Sequence, residues 1–162
     1  MTKLARILIN YSTKLKKGEN VLIEAYDIPD EMIIELIKQA KKAGANPLVS
    51  LKRNNVMRAL IQGTDKKHMA LAADSEKQRM KKVQAYIGIR GSNNIAELSD
   101  VSSSHMETYQ THWLKPVHFD IRVPKTKWVV LRYPTSSMAQ QAEMSSEEFE
   151  EFFLRRAISS SN

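Results

Sequence analysis

The sequence predicts a three-layer α/β domain: a mainly parallel sheet with helices on both faces. Short apolar runs at 21–25, 47–51, 85–90 and 128–131 are bounded by turn residues and are apolar on both sides, as buried parallel strands are. Helical periodicity separates them, and each connection is long enough to hold a helix, so successive strands run the same way through right-handed crossovers.

The elements follow in order. Thr2 is placed to cap a first helix whose apolar residues Leu4, Leu8, Tyr11 and Leu15 share a face, with Ile7 beside them, and Gly18 stops it. After the first strand, Pro29 suits an opening helical turn. Ile33, Leu36, Ile37 and Ala40 make the buried stripe of that helix, and Gly44 sits where a left-handed residue closes it. The second strand completes a βαβ unit. A short helix at 55–62 ends at Gly63, and a longer one at 65–82 turns Met69, Ala72, Ala73, Met80 and Val83 inward. Beyond the third strand, Gly91, Ser92, Asn93 and Asn94 are turn residues, with Asn94 expected to cap a helix at 95–98. Segment 99–120 is the least patterned; the serines at 102–104 open a helix through Trp113 that Pro116 is expected to close. The fourth strand leaves through Tyr133, Pro134 and Thr135 into a loop. A last helix at 146–158 is announced by the capping-box spacing of Ser145 and Glu148 and by Phe149, Phe152, Phe153 and Ala157 on one face. Residues 1–158 thus read as one domain, and 159–162 as a polar tail.

The chain has 162 residues with 42% hydrophobic and 27% charged content, so it can bury a core without staples. It contains no cysteine, which excludes a disulfide scaffold, a thiolate metal site and a cysteine nucleophile, and leaves the cytoplasm as the expected compartment. No run approaches the length of a membrane span, so no membrane partner is expected. The net charge of +7 admits an anionic partner. Its lysine pairs, at 16–17, 41–42, 66–67 and 81–82, are scattered along the chain near predicted helix ends, where cations complement the helix dipole or are simply solvated.

Catalytic motifs are lacking. His68, His105, His112 and His118 stand in no metal-ligand spacing, and no glycine-rich phosphate loop or serine-nucleophile elbow follows a strand. We therefore assign no catalytic and no metal residue. The best candidate ligand-facing loop is Arg90, Ser92, Asn93 and Asn94, because open α/β sheets place ligands beyond the carboxyl ends of their strands. The same residues serve equally as a tight turn and a helix cap.

Five segments, NYSTKLKKGENVLIEA at 10–25, AKKAGANPLVSL at 40–51, AYIGIRGSNN at 85–94, KWVVLRYPT at 127–135 and MAQQAEMSSEEFEEFF at 138–153, resemble the N-terminal domain of the thermophilic-type metalloaminopeptidases, the AmpS, PepS and aminopeptidase T group. The resemblance covers nearly the whole chain, and the W-x-x-x-R-Y-P-T and M-S-x-E-E-F pieces are its most distinctive parts. It implies a cytoplasmic two-domain exopeptidase acting on peptides, with a zinc- or cobalt-type metal pair and a homodimer enclosing the active sites. In that family the ligands, glutamates, histidines and an aspartate, come from a C-terminal catalytic domain absent from these residues. The chain is thus expected to be a non-catalytic half, inactive alone, whether a natural truncation, an expressed domain or a stand-alone relative. Phe149, Phe152 and Phe153 are then a candidate interface with the missing half or a second subunit; the alternative is that they are core of this domain. A different class of function, a stand-alone basic α/β module for an anionic partner such as nucleic acid, would show steeply salt-dependent binding.

Overall fold

The computed structural model describes the backbone of residues 1–159 and the side chains of 1–155; of the polar tail, residues 160–162 lie outside the described part. Four strands, β1 (Asn20–Tyr26), β2 (Asn46–Lys52), β3 (Ala85–Arg90) and β4 (Lys127–Arg132), form one sheet in the order β2-β1-β3-β4. All three pairings are parallel, with Ile23 opposite both Val49 and Ile87, and Ile87 opposite Val129. Helices lie on both faces, as the sequence predicts.

Alternate side chains of each strand divide the core in two. Val21 and Ile23 of β1, with Ile87 and Ile89 of β3, pack against α1 (Thr2–Ile7), its continuation Leu8–Ser12 and α2 (Asp30–Lys42) through Leu4, Leu8, Met32 and Leu36. On the other face Leu22, Tyr26 and Tyr86 meet α3 (Asn54–Ile61), α4 (Lys66–Met80) and a long helix whose inward residues are Trp113, Val117 and Ile121.

Several expectations need correcting. Thr2 is the first residue inside α1; Met1 occupies the cap position, with no side-chain bond. This helix does not keep an ordinary period either. At Leu8–Ser12 it widens to bonds spanning five residues, as in Thr13 N to Leu8 O at 3.0 Å. The wider turn brings Leu4, Leu8, Ile9 and Thr13 inward and leaves Tyr11 67% exposed, so the expected stripe through Tyr11 breaks. Second, Pro116 does not end its helix. α5 (Ser103–Tyr109) runs on as a wide helix through Gln110–Arg122 into the single turn α6 (Val123–Lys125). A proline is disruptive in a tight helix because its ring meets the carbonyl four residues back; the wider turn moves that carbonyl aside. Third, 95–98 is a series of turns rather than a helix, with Glu97 N bonded to Asn94 O at 3.2 Å and Ser99 N to Ala96 O at 3.0 Å. Asn94 still caps it, its Oδ1 accepting from Ala96 N at 3.0 Å.

The last strand leads through a short helix, α7 (Ser136–Gln141), where only a loop is expected from sequence, to α8 (Ser146–Ser159). Ser145 Oγ accepts from Glu148 N at 3.2 Å, the first half of the capping box. At the β2 edge, Asn46 N donates to Glu19 O and Lys52 O accepts from Asp27 N, so the even-numbered residues of β2 bond toward β1. Pro47, Val49 and Leu51 therefore turn their backbone outward.

Candidate functional site

β1 and β3 lie side by side, but their connections leave toward opposite faces of the sheet. Such a divergence opens a crevice at the carboxyl ends of the strands. Here it has a volume of about 710 Å³ and is bordered by Asp27, Arg53, Asn93, Asn94, Thr135 and Glu150. Asp27 stands directly after β1 with φ +42, a conformation open to a short polar side chain. Its Oδ2 accepts from Asn54 N at 2.9 Å and Asn54 Nδ2 at 2.7 Å, and the same Nδ2 donates to Gly91 O at 3.0 Å. Asn54 thus ties the ends of β1, β3 and α3 together. Gly91 is required by that closure: a Cβ there would lie 2.4 Å from Asp27 O.

Of the loop residues singled out from sequence, Asn93 and Asn94 border this crevice. Ser92 Oγ is used inside the turn, donating to Asn94 O at 2.6 Å, while Ser92 O accepts from Ser137 Oγ at 2.6 Å. Arg90 lies on the other face of the sheet, its guanidinium 5.2 Å from the centre of the Tyr26 ring. The structure therefore separates Arg90 from Ser92, Asn93 and Asn94.

A second polar centre lies beneath that face. Glu24 sits in mid-β1 with no exposed surface. Arg122, at the end of the wide helix, grips it with Nη1 to Oε1 at 3.2 Å and Nη2 to Oε2 at 2.9 Å. Lys52 Nζ is 3.0 Å from Oε2, and Tyr86 Oη donates to Oε1 at 2.7 Å. Glu76 of α4 completes the cluster, 2.6 Å from Lys52 and 3.3 Å from Arg122. Burial alone would push the Glu24 carboxyl up, but the charges of Arg122 and Lys52 outweigh it and hold it at about 2. Burial raises the Tyr86 and Tyr26 hydroxyls, with the Glu24 charge adding to it, so both stay protonated. Two acids against two bases, each carboxylate fully engaged, make a structural lock and not a general base. The sequence signal for it is one acid, Glu24, inside the apolar run of β1; its partners Lys52, Glu76 and Arg122 come from three distant segments.

The aromatic residues of α8 are neither all buried nor all exposed. Phe149 and Phe153 are half-buried with ring centres 6.5 Å apart, and Phe152 is 48% exposed. Leu154 packs into the α1–α2 core. The side chain of Ala157 lies outside the described residues.

A parallel sheet of four strands, helices on both faces and a crevice at the switch point define a doubly wound α/β domain. This chain belongs to the thermophilic metalloprotease (M29) family, whose sequence pattern it matches over residues 1–161. Among solved structures, wild-type AmpT from Thermus thermophilus is similar to it, with a TM-score of 0.70 at 16% identity, covering 97% of this chain and 42% of that one. The chain thus spans well under half the length of AmpT. The CurK enoyl reductase also aligns, at 12% identity over 100% of this chain and 50% of its own, but its TM-score of 0.36 carries no argument. No curated protein sequence matches the chain.

A metalloprotease family implies a metal, so the donor set matters. Among the described residues no three His, Asp or Glu side chains converge to hold one. The carboxylates of Glu24 and Glu76 are already shared by Lys52 and Arg122, whose charges would repel a cation. These residues do not fit the group, and no chemical step is assigned to a metal here.

Proposed function

We propose that the chain is the non-catalytic N-terminal domain, residues 1–158, of a metal-dependent cytoplasmic aminopeptidase. In this reading a C-terminal half supplies a zinc- or cobalt-type metal pair, and this domain walls and restricts access to the site where peptides are cut. The observation that carries it is the family match over residues 1–161 together with coverage of only 42% of AmpT. The lack of a convergent donor set among the described residues supports it. The crevice with Asn93 and Asn94 is the surface of this domain best shaped to meet a peptide, and the exposed Phe152 face of α8 is its contact with the catalytic half or with a second subunit of a homodimer.

Two measurements test the reading. The chain alone, incubated with zinc or cobalt, should release no amine from aminoacyl-nitroanilides; turnover abolished by chelator, with metal retained after dialysis, would overturn the non-catalytic role. Mixed with the metal-carrying half of a family enzyme, it should co-elute in gel filtration, and Phe152→Ser should weaken that association. Unchanged co-elution of the variant removes α8 from the interface.

A further inference from the structure

The lysine pairs that look scattered along the sequence enter the sheet at one end. In a parallel sheet every strand begins at the same edge, and here each strand is preceded or opened by lysines. Lys16 and Lys17 precede β1, Lys41 and Lys42 precede β2, Lys81 and Lys82 precede β3, and Lys125 and Lys127 flank the start of β4. Hydrogen bonds tie these entry segments together. Asn20 Nδ2 donates to Lys82 O at 2.8 Å, Asn46 Nδ2 to Asn20 Oδ1 at 3.0 Å, Lys127 N to Gln84 O at 3.0 Å, and Gly18 N to Gly44 O at 2.9 Å. With strands about 4.8 Å apart, the four entries span roughly 15 Å.

Seven of these eight lysines are exposed and make no salt bridge with any described residue. Lys127 alone is ion-paired, to Glu19, the carboxylate among the entry segments. Several of the lysines also complement helix carboxyl ends, but that interaction leaves their charge facing outward. The crevice at the opposite end of the sheet is bordered by both signs, Asp27, Glu97 and Glu150 with Arg53.

Beside the β4 entry lie two exposed aromatic rings, Phe119 at 58% and Trp128 at 43% exposure. The His118 ring joins them, 5.0 Å from Phe119 and 6.3 Å from Trp128. Neither feature belongs to the crevice or to the α8 face. Lysines spaced along a row attract a chain of phosphates, and flat exposed rings at the end of that row offer stacking to unpaired bases.

We propose that the amino-terminal edge of the sheet binds single-stranded nucleic acid, with the paired lysines on its phosphates and Phe119 and Trp128 stacked against its bases. A duplex would satisfy the lysines but would keep its bases from the rings. This surface is independent of the peptidase reading, since it lies at the end of the domain opposite the crevice.

The test is fluorescence anisotropy with a labelled thymidine oligonucleotide of about 20 nucleotides, at several salt concentrations. Binding should weaken with salt, and Lys81→Glu with Lys82→Glu should lower affinity about tenfold and flatten the salt slope by about 1.4, at about 0.7 per lost phosphate contact. Lys66→Glu with Lys67→Glu, an equal charge change in the first turn of α4 at the other end, should alter affinity by less than about twofold. Trp113 is buried, so quenching of tryptophan emission on binding reads Trp128, and Phe119→Ser should reduce the preference for the single strand over a duplex of equal length. Equal loss in both lysine variants, equal affinity for the duplex in the wild type, or no binding at low salt would each overturn the proposal.

Discussion

Glu24 is the residue whose loss the fold should feel most. Glu24→Gln keeps the shape of the side chain but removes the bidentate carboxylate and leaves two buried cations, Arg122 and Lys52, sharing the one remaining acid, Glu76; we expect a cost of about 3 kcal/mol in urea unfolding at neutral pH. The same residue sets an acid limit. Its carboxyl titrates near 2 in the folded chain against an ordinary 4.5, so between those values the unfolded state holds more protons. Stability present above pH 4.5 should therefore fall as pH drops toward 2, by roughly 3 kcal/mol at about 1.4 kcal/mol per unit. Urea midpoints at pH 7, 4 and 3 would follow this loss in the wild type, and the Gln variant should show less of it. From sequence, Glu24 is visible only as a charge in an apolar strand; nothing local says that Arg122, 98 positions on, will meet it. The loop at 90–94 divides for a similar reason. Its turn chemistry is readable, but the alternation of β3 sends Arg90 over the Tyr26 ring and away from the crevice.

Strands and ordinary helices were legible because their periods are local. β3 is found at its expected limits, and the other strands and the helices α2 to α4 differ from expectation by a residue or two at their ends. The two wide helical stretches were not, because a spacing of four to five residues matches neither the helical nor the strand template. Thr13 shows what closes the first of them. Its buried hydroxyl donates to Leu8 O at 2.9 Å and lies 3.1 Å from Ile9 O, satisfying carbonyls that a widening helix leaves open. Thr13→Val fills the same space without the hydroxyl and should cost about 1–3 kcal/mol, read as a lower thermal midpoint with unchanged far-ultraviolet dichroism.

For the whole molecule, topology turns sequence-scattered residues into distinct surfaces. The lysine entries gather at one end of the sheet, while the acids, asparagines and Arg53 of the crevice gather at the other. The sequence could not show this, since which charges share an end depends on every strand running in the same direction. Among the described residues no three His, Asp or Glu side chains converge on a point where an ion could tie elements together. Prolonged chelation should accordingly leave the thermal midpoint unchanged, whereas a fold linked to a bound metal would lose stability as the ion was withdrawn.

The outward-turned backbone of β2 has a consequence for how the protein behaves at high concentration. Leu48, Val49 and Leu51 are exposed on this strand, so it resembles a template on which a further strand could grow. Pro47 spoils the template, because at its outward position it has no N–H to offer, and an added strand would forfeit a bond at the start of the ladder. The cost to the native sheet is nil, since the bonds toward β1 come from the alternate residues. Pro47→Val should keep the fold and yet increase light scattering on standing at high concentration. One imino acid thus separates a finished sheet from one that can polymerise.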